Sequence, residues 1–266
     1  MLDVVKLKDM KKKGEKIAMI TAYDCISASI AEEAGIDLLL VGDSLGNVVL
    51  GYENTLPVTV NDILQHTQAV RRGSTKSFVI SDMPFLSFQV SEEKAIENCG
   101  LMLKEGGANA VKLEGGIEIA PLVKRLTTFG IPVMGHLGLT PQSINQIGGY
   151  RVQGKTEDEK RTLLKSASAL EDAGAFAVVL ELMVEETAKE ITESLMIPTI
   201  GIGAGRYCDG QVLVWHDLLG INKGFRPKFL KTYEDLYDKI LTALKRYSSD
   251  VKSGAFPEES NVFHSK

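Results

Sequence analysis

The sequence predicts an α/β fold: one (β/α)8 barrel of parallel strands, with a C-terminal helix and polar tail completing a single domain over residues 1–266. Three observations point there. Eight short apolar runs alternate with stretches of helical periodicity. A weak internal repeat marks the joins, in Ala-Gly35-Ile-Asp-Leu, Gly-Gly107-Ala-Asn-Ala and Ala-Gly174-Ala-Phe-Ala. In each, a glycine suited to the left-handed conformation stops a helix just before a strand. Finally, acidic residues close several of the runs, at the end of the strands where a barrel of this kind carries its chemistry.

The runs cover residues 16–23, 38–43, 77–82, 110–114, 131–136, 175–181, 197–202 and 211–216. Most are continuously apolar rather than alternating, as strands buried on both faces must be. In the gaps, Ile63, Leu64, Thr67 and Val70 share one helix face, as do Ile96, Cys99, Met102 and Leu103, and Leu163, Leu164, Ala167 and Leu170. Thr156 with Glu159 makes a capping box, and Thr140-Pro141 reads as an N-cap before a proline at the first helical position. The competing architecture is an open doubly wound sheet, but no G-x-G-x-x-G follows the first strand. The lysine-rich stretch Lys6 to Lys16 reads as a solvated surface helix. The last helix, about 232–247, carries Tyr233, Leu236, Tyr237, Ile240, Leu244 and Tyr247, an aromatic face suited to a neighbouring subunit.

The chain has 266 residues, 44% of them apolar, enough for one large core. A net charge of −5 with no basic stripe argues against a nucleic-acid partner. No apolar run approaches the roughly 20 residues that span a bilayer, and the N-terminus lacks the apolar segment of a secretory signal. These features lead us to expect a cytoplasmic protein with no membrane partner. The cysteines at 25, 99 and 208 lack both metal-ligand spacing and a disulfide framework. Cys99, on an apolar helix face, and Cys208 read as packing residues.

The acids carry the chemistry. Asp43, Asp82, Glu114 and Glu181 each end a strand-like run, and a carboxylate there needs a metal, a cation or a catalytic use. Asp43 and Asp82, from consecutive strands, suit one Mg²⁺, which prefers oxygen ligands and takes few carboxylates. Glu114 would join them directly or through water. The plainer reading is that the aspartates only cap the loops that follow. Lys112 and Glu114, two apart, point to one face. Together they suit a small anionic substrate, or form an internal ion pair. Glu181 lies in the most apolar context, Phe-Ala-Val-Val-Leu-Glu-Leu-Met, where desolvation favours a general base. His136 is a further substrate-binding candidate, ranked below the acids, and His66 and His216 rank lower still. Gly201-Ile-Gly203-Ala-Gly205 is either an anion-cradling turn or a tight loop.

Several motifs together resemble the ketopantoate (3-methyl-2-oxobutanoate) hydroxymethyltransferase family. They are Thr21-Ala-Tyr-Asp24, Leu40-Val-Gly-Asp43-Ser44-Leu-Gly46, Asp82-Met-Pro-Phe85 and Val111-Lys112-Leu-Glu114-Gly-Gly116, then Gly135-His136-Leu-Gly-Leu-Thr-Pro-Gln142, Val179-Leu-Glu181, Pro198-Thr-Ile-Gly-Ile-Gly-Ala-Gly205 and Cys208-Asp-Gly-Gln-Val-Leu-Val214. The resemblance implies a Mg²⁺-dependent barrel of the phosphoenolpyruvate mutase/isocitrate lyase type. It implies transfer of a hydroxymethyl unit from 5,10-methylenetetrahydrofolate, the co-substrate, to 3-methyl-2-oxobutanoate, giving 2-dehydropantoate for pantothenate and coenzyme A synthesis. Carried over by motif, Asp43, Asp82 and Glu114 match the metal acids. Asp43, Ser44, Asp82 and Lys112 match the keto-acid contacts, and Glu181 matches the proton acceptor. The resemblance also implies a homo-oligomer, a decamer in bacterial members. Val184 departs from the pattern, since relatives are expected to carry proline there. The rival function is a Mg²⁺-dependent carbon–carbon lyase of the same barrel group acting on another oxo acid, which would turn over without folate.

Overall fold

A computed structural model describes residues 2–224 and 226–265. The strands are β1 (Ile17–Thr21), β2 (Leu38–Val41), β3 (Phe78–Asp82), β4 (Ala110–Glu114), β5 (Val133–Gly138), β6 (Ala177–Glu181), β7 (Thr199–Ile202) and β8 (Gly210–Leu213). They close into a barrel in sequence order, every pair parallel, with β8 returning to β1. Each of the eight apolar runs therefore overlaps a strand, with β5 extending two residues past its run and β8 beginning one residue before its own. The last run was drawn too long, because β8 stops at Leu213 and Trp215–Leu218 turns helical.

The joins follow the local chemistry. Gly35, Gly107 and Gly174 take φ of 77°, 74° and 96°. Thr156 and Glu159 form the expected capping box at the start of helix Glu157–Asp172. Thr140 does not cap. Pro141 does open a short 3₁₀ turn, Pro141–Ser143, but Thr140 makes no side-chain bond to it. The second amide of that turn, from Gln142, is given to the Glu114 carboxylate instead.

Parallel strands show alternate residues to the barrel interior. The inner set is Ile17 and Met19, Leu38 and Leu40, Phe78 and Ile80, then Ala110, Met134, Ala177, Val179, Ile200 and Val212. Leu7 joins this set from helix Val4–Lys13 and is fully buried. The N-terminal helix is thus not simply solvated. Its leucine plugs the barrel floor, and its lysines carry the charge outward, apart from Lys11. That side chain donates to Asp209 Oδ2 at 2.9 Å and to the Thr192 carbonyl at 2.7 Å, while the same Asp209 oxygen accepts the Thr199 amide at 2.9 Å. Cys99 and Cys208 are buried and unpaired, as packing residues should be, and burial pushes the Cys99 thiol up to about 12.

The chain divides into two compact units, residues 1–215 and 216–266. The first holds the barrel. The second holds helix Leu236–Ser253, which starts and ends later than the sequence pattern indicated. None of its residues is buried, and Tyr237, Ile240, Leu244 and Tyr247 are all exposed. Gly254 ends it in the left-handed conformation, and Phe256 meets Tyr247 edge-on at 5.8 Å. Among the described residues no helix is long and apolar enough to cross a membrane.

Glu32, near the end of helix Cys25–Glu33, ties the loop before β3. One carboxylate oxygen accepts from the Ser74 hydroxyl at 2.6 Å and from the amides of Lys76 and Ser77 at 2.7 and 3.0 Å. Partial burial raises its pKa, but these donors outweigh that and bring it down to about 2. A carboxylate with a depressed folded pKa stabilises the fold above its unfolded value, and the effect fades as pH falls toward the folded one. Glu32→Gln is expected to cost about 1–2 kcal/mol at pH 7. In thermal melts the gap between the two proteins should close as pH drops from about 4.5 to about 2.

Candidate active site

Continuing the inner alternation one or two steps beyond the apolar core produces the site. Met19 leads to Thr21 and Tyr23, Ile80 to Asp82, Ala110 to Lys112 and Glu114, Met134 to His136, and Val179 to Glu181. Register then sets their heights. Asp82 pairs with Lys112 and Glu114 with His136 on neighbouring strands, so their side chains meet side by side. Asp43 arrives differently, from the loop just after β2. There its backbone amide donates to Asp82 Oδ2 at 3.2 Å.

Lys112 is the centre of charge. Its Nζ lies 2.7 Å from Asp82 Oδ1, 3.8 Å from Glu114 Oε1 and 3.1 Å from His136 Nδ1, all deeply buried. Burial works against its charge, but the carboxylates of Asp82, Glu114 and Asp43 outweigh that and raise its pKa. Asp43 is pushed well above the usual carboxylate range by burial and by the neighbouring charges of Asp82 and Glu114. Asp82 is raised by burial despite Lys112. Glu114 goes the other way: burial raises it, but His136 and Lys112 hold it low.

His136 links this cluster to Glu181. Its Nδ1 lies 3.4 Å from Glu114 Oε1, and its Nε2 lies 3.2 Å from Glu181 Oε2. Burial and the Lys112 ammonium oppose a charge on the ring, but the two carboxylates prevail and raise its pKa to about 9. Glu181 itself differs from expectation. The apolar residues around it in sequence pack along the strand, yet its side chain is 18% exposed, against 2–4% for Asp82, Lys112 and Glu114. It faces the open mouth. The next residue, Leu182, takes φ of +44°, a strained setting for an L side chain. Its amide donates to the Ile202 carbonyl and its own carbonyl accepts from Gln153, which holds the strand end in place. Gly138 is required beside it, because a Cβ there would lie 2.2 Å from the Glu181 carbonyl oxygen.

Ser44 Oγ meets the Tyr23 hydroxyl at 2.9 Å. Tyr23 lies within the Thr21-Ala-Tyr-Asp24 motif, and the inner alternation from Met19 marks it as facing the site. The sequence pattern does not mark Gln142 as a contributor. Its Nε2 donates to Asp43 Oδ2 at 3.0 Å and to the Met83 carbonyl at 2.9 Å. Tyr150, largely exposed, has its hydroxyl pKa raised by partial burial, then by the charges of Glu181 and Asp43. His66 holds the Tyr23 carbonyl at 2.5 Å and stands behind the site rather than in it. At the end of the glycine run, Gly205 serves close packing, because a Cβ there would collide with the Glu185 side chain. Val184 donates its amide to the Gln153 carbonyl at 3.0 Å, a bond that proline could not make.

The acids fit a hard cation. Three buried carboxylates face one ammonium, so negative groups outnumber the lysine charge beside them, and Asp82 Oδ1 and Glu114 Oε1 meet only Lys112 and His136. Among the described residues no three His, Cys, Asp or Glu side chains close into a complete cage. An ion that takes one or two carboxylates and fills its other positions from water and substrate suits this arrangement.

Residues 2–259 match the family described as ketopantoate hydroxymethyltransferase. The chain belongs to that family. It is 64% identical over 265 residues to the 3-methyl-2-oxobutanoate hydroxymethyltransferase of Thermotoga neapolitana, covering 100% of this chain and 97% of the relative. It is 57% identical over 257 residues to that of Syntrophus aciditrophicus, covering 97% and 94%. Relatives of this kind mark the chain as a hydroxymethyltransferase-family enzyme. Its fold is similar to phosphoenolpyruvate phosphomutase from Streptomyces platensis subsp. rosaceus, at TM-score 0.64 and 13% identity, covering 99% of this chain and 92% of that one. It is also similar to 2,3-dimethylmalate lyase, a PEP mutase/isocitrate lyase superfamily member, at TM-score 0.59 and 15% identity, covering 99% and 89%. The likeness to these structures is one of fold, a barrel of the same type.

Because Lys112 is the ammonium among these acids, its removal should be felt as uncompensated charge. Lys112→Met is expected to cost about 3–5 kcal/mol at pH 7. Acids whose folded pKa lies above the unfolded value hold an extra proton in the fold, so their stability contribution grows as pH falls. Urea denaturation should therefore show a smaller deficit at pH 5 than at pH 7.

Proposed function

We propose that the protein transfers a hydroxymethyl group from 5,10-methylenetetrahydrofolate to 3-methyl-2-oxobutanoate, giving 2-dehydropantoate in pantothenate synthesis, with Mg²⁺ held by Asp43 and Asp82 and Glu114 bound to it directly or through water. The observation that carries this reading is Glu181, a partly open carboxylate linked by His136 to a buried acid cluster around Lys112. The names of relatives that match over nearly the whole chain support the keto acid and the group transferred; the folate donor follows from the family resemblance.

The residues divide the work. Bound at the aspartates, Mg²⁺ would supply Lewis-acid stabilisation for negative charge at the ketone oxygen. Lys112 and Ser44 hold the keto acid, with the ammonium balancing its carboxylate. Glu181 removes the proton next to the ketone, and His136 orients the Glu181 carboxylate that receives it. The resulting enolate carbon forms a bond to the one-carbon unit and water supplies its hydroxyl, while both bonds from that carbon to the two folate nitrogens break. The nitrogens leave as N–H, taking up the proton that Glu181 removed and the second proton of the water. This reading includes a cytoplasmic enzyme assembled from several copies, a decamer by family resemblance.

Product analysis after mixing protein, 3-methyl-2-oxobutanoate, methylenetetrahydrofolate and Mg²⁺ tests the reaction, and turnover without folate would indicate a lyase instead. The wild-type protein should also exchange the proton beside the ketone with deuterated water without folate. Glu181→Gln keeps shape and polarity but accepts no proton, so exchange should fall roughly 10²–10⁴-fold. Near-normal exchange in the folded variant would move the base elsewhere, with His136 next in line.

Assembly has its own test. The exposed apolar face of helix Leu236–Ser253 supports an oligomer. Sedimentation at micromolar protein should show a species several times the 29.0 kDa chain, and a monomer alone would contradict this part of the reading.

A further inference from the structure

Each of the three buried acids has one oxygen held by a fixed donor of the scaffold. Asp82 Oδ2 accepts the Asp43 amide at 3.2 Å. Asp43 Oδ2 accepts Gln142 Nε2 at 3.0 Å, and Glu114 Oε2 accepts the Gln142 backbone amide at 3.0 Å. Two of the three anchors therefore come from one residue. Gln142 sits after β5, yet it reaches back over the ends of β4 and β3 to the loop after β2.

The chemistry of its neighbours fixes which way the amide points. A glutamine amide offers two N–H donors on nitrogen and only acceptor lone pairs on oxygen. The nitrogen here faces two acceptors, Asp43 Oδ2 and the Met83 carbonyl at 2.9 Å. Turning the amide over would set its oxygen against both. Its oxygen faces the Gln89 amide nitrogen at 3.5 Å instead, and the residue is buried, so its freedom is small. The 3₁₀ turn Pro141–Ser143 supplies the second arm, because its Gln142 amide has no partner within the turn and is free to meet Glu114.

We infer that Gln142 is a positioning residue that clamps Asp43 and Glu114, fixing which carboxylate oxygen of each faces the cation and so setting cation affinity. This rests on the metal reading proposed above. Ligand carboxylates are generally oriented by such hydrogen-bonding partners, whose loss lowers metal affinity about 10- to 100-fold.

The test is direct cation titration by calorimetry, using Mg²⁺ and Mn²⁺ on wild type, Asp82→Asn and Gln142→Met. The methionine preserves length and bulk but donates nothing, and the backbone arm to Glu114 survives it. Expected is an affinity about 10- to 100-fold weaker in Gln142→Met. Its keto-acid KM should rise more than its kcat falls, and excess Mg²⁺ should restore proton exchange. A purely structural role would not respond to excess cation. Should Gln142→Met fail to fold, Gln142→Asn takes its place with the same expectation, since one methylene fewer withdraws the amide from Asp43. If wild type and Asp82→Asn differ in titration while the Gln142 variant binds like wild type, the inference alone is overturned. If wild type binds neither ion, the metal reading falls and the inference falls with it.

Discussion

A single ammonium among three buried carboxylates governs the architecture of the barrel mouth. Lys112 could not be charged in such a place without Asp82 and Glu114, and these acids could not stay close together without Lys112. The register of β3, β4 and β5 sets the geometry, because it places Asp82, Lys112, Glu114 and His136 at adjoining inner positions. An interior of this kind is costly unless the charges are paired and the remaining lone pairs find donors. Gln142 and the Asp43 amide supply those donors, and His136 carries the network across to Glu181.

The same alternation that fills the core with Ile80, Met134 and Val179 delivers Asp82, His136 and Glu181 to the site two residues later. Core and chemistry are consecutive layers of one pattern. This is why the strands and the principal acids were legible in the sequence: continuous apolar runs locate parallel strands, and a charge at the end of a run stands out. The same logic applied to β1 adds Tyr23, whose hydroxyl meets Ser44.

What was not legible depends on contacts between residues far apart in sequence. Gln142 follows a Thr-Pro pair that looked like an ordinary helix start, and only the closed barrel shows that Glu114 takes the amide a Thr140 cap would have used. Leu7 lies among lysines, and no local pattern says that a barrel floor waits for it. The surroundings of Glu181 were misjudged for a related reason. Its apolar neighbours in sequence line the strand, whereas the space before its carboxylate is set by loops that follow other strands.

The floor carries a consequence for how the chain is made. Leu7 and Lys11 belong to the first helix, yet Lys11 bonds to Asp209, 198 residues away, immediately before the strand that pairs with β1. On a ribosome the N-terminal helix emerges first and has no finished surface to sit on until nearly the whole barrel has been synthesised. Early segments must therefore wait with an apolar residue and two barrel edges uncovered, a state in which exposed strands invite pairing with other chains. The charges around Leu7, which give the helix its solvated pattern, favour solubility for a segment that must wait for β8.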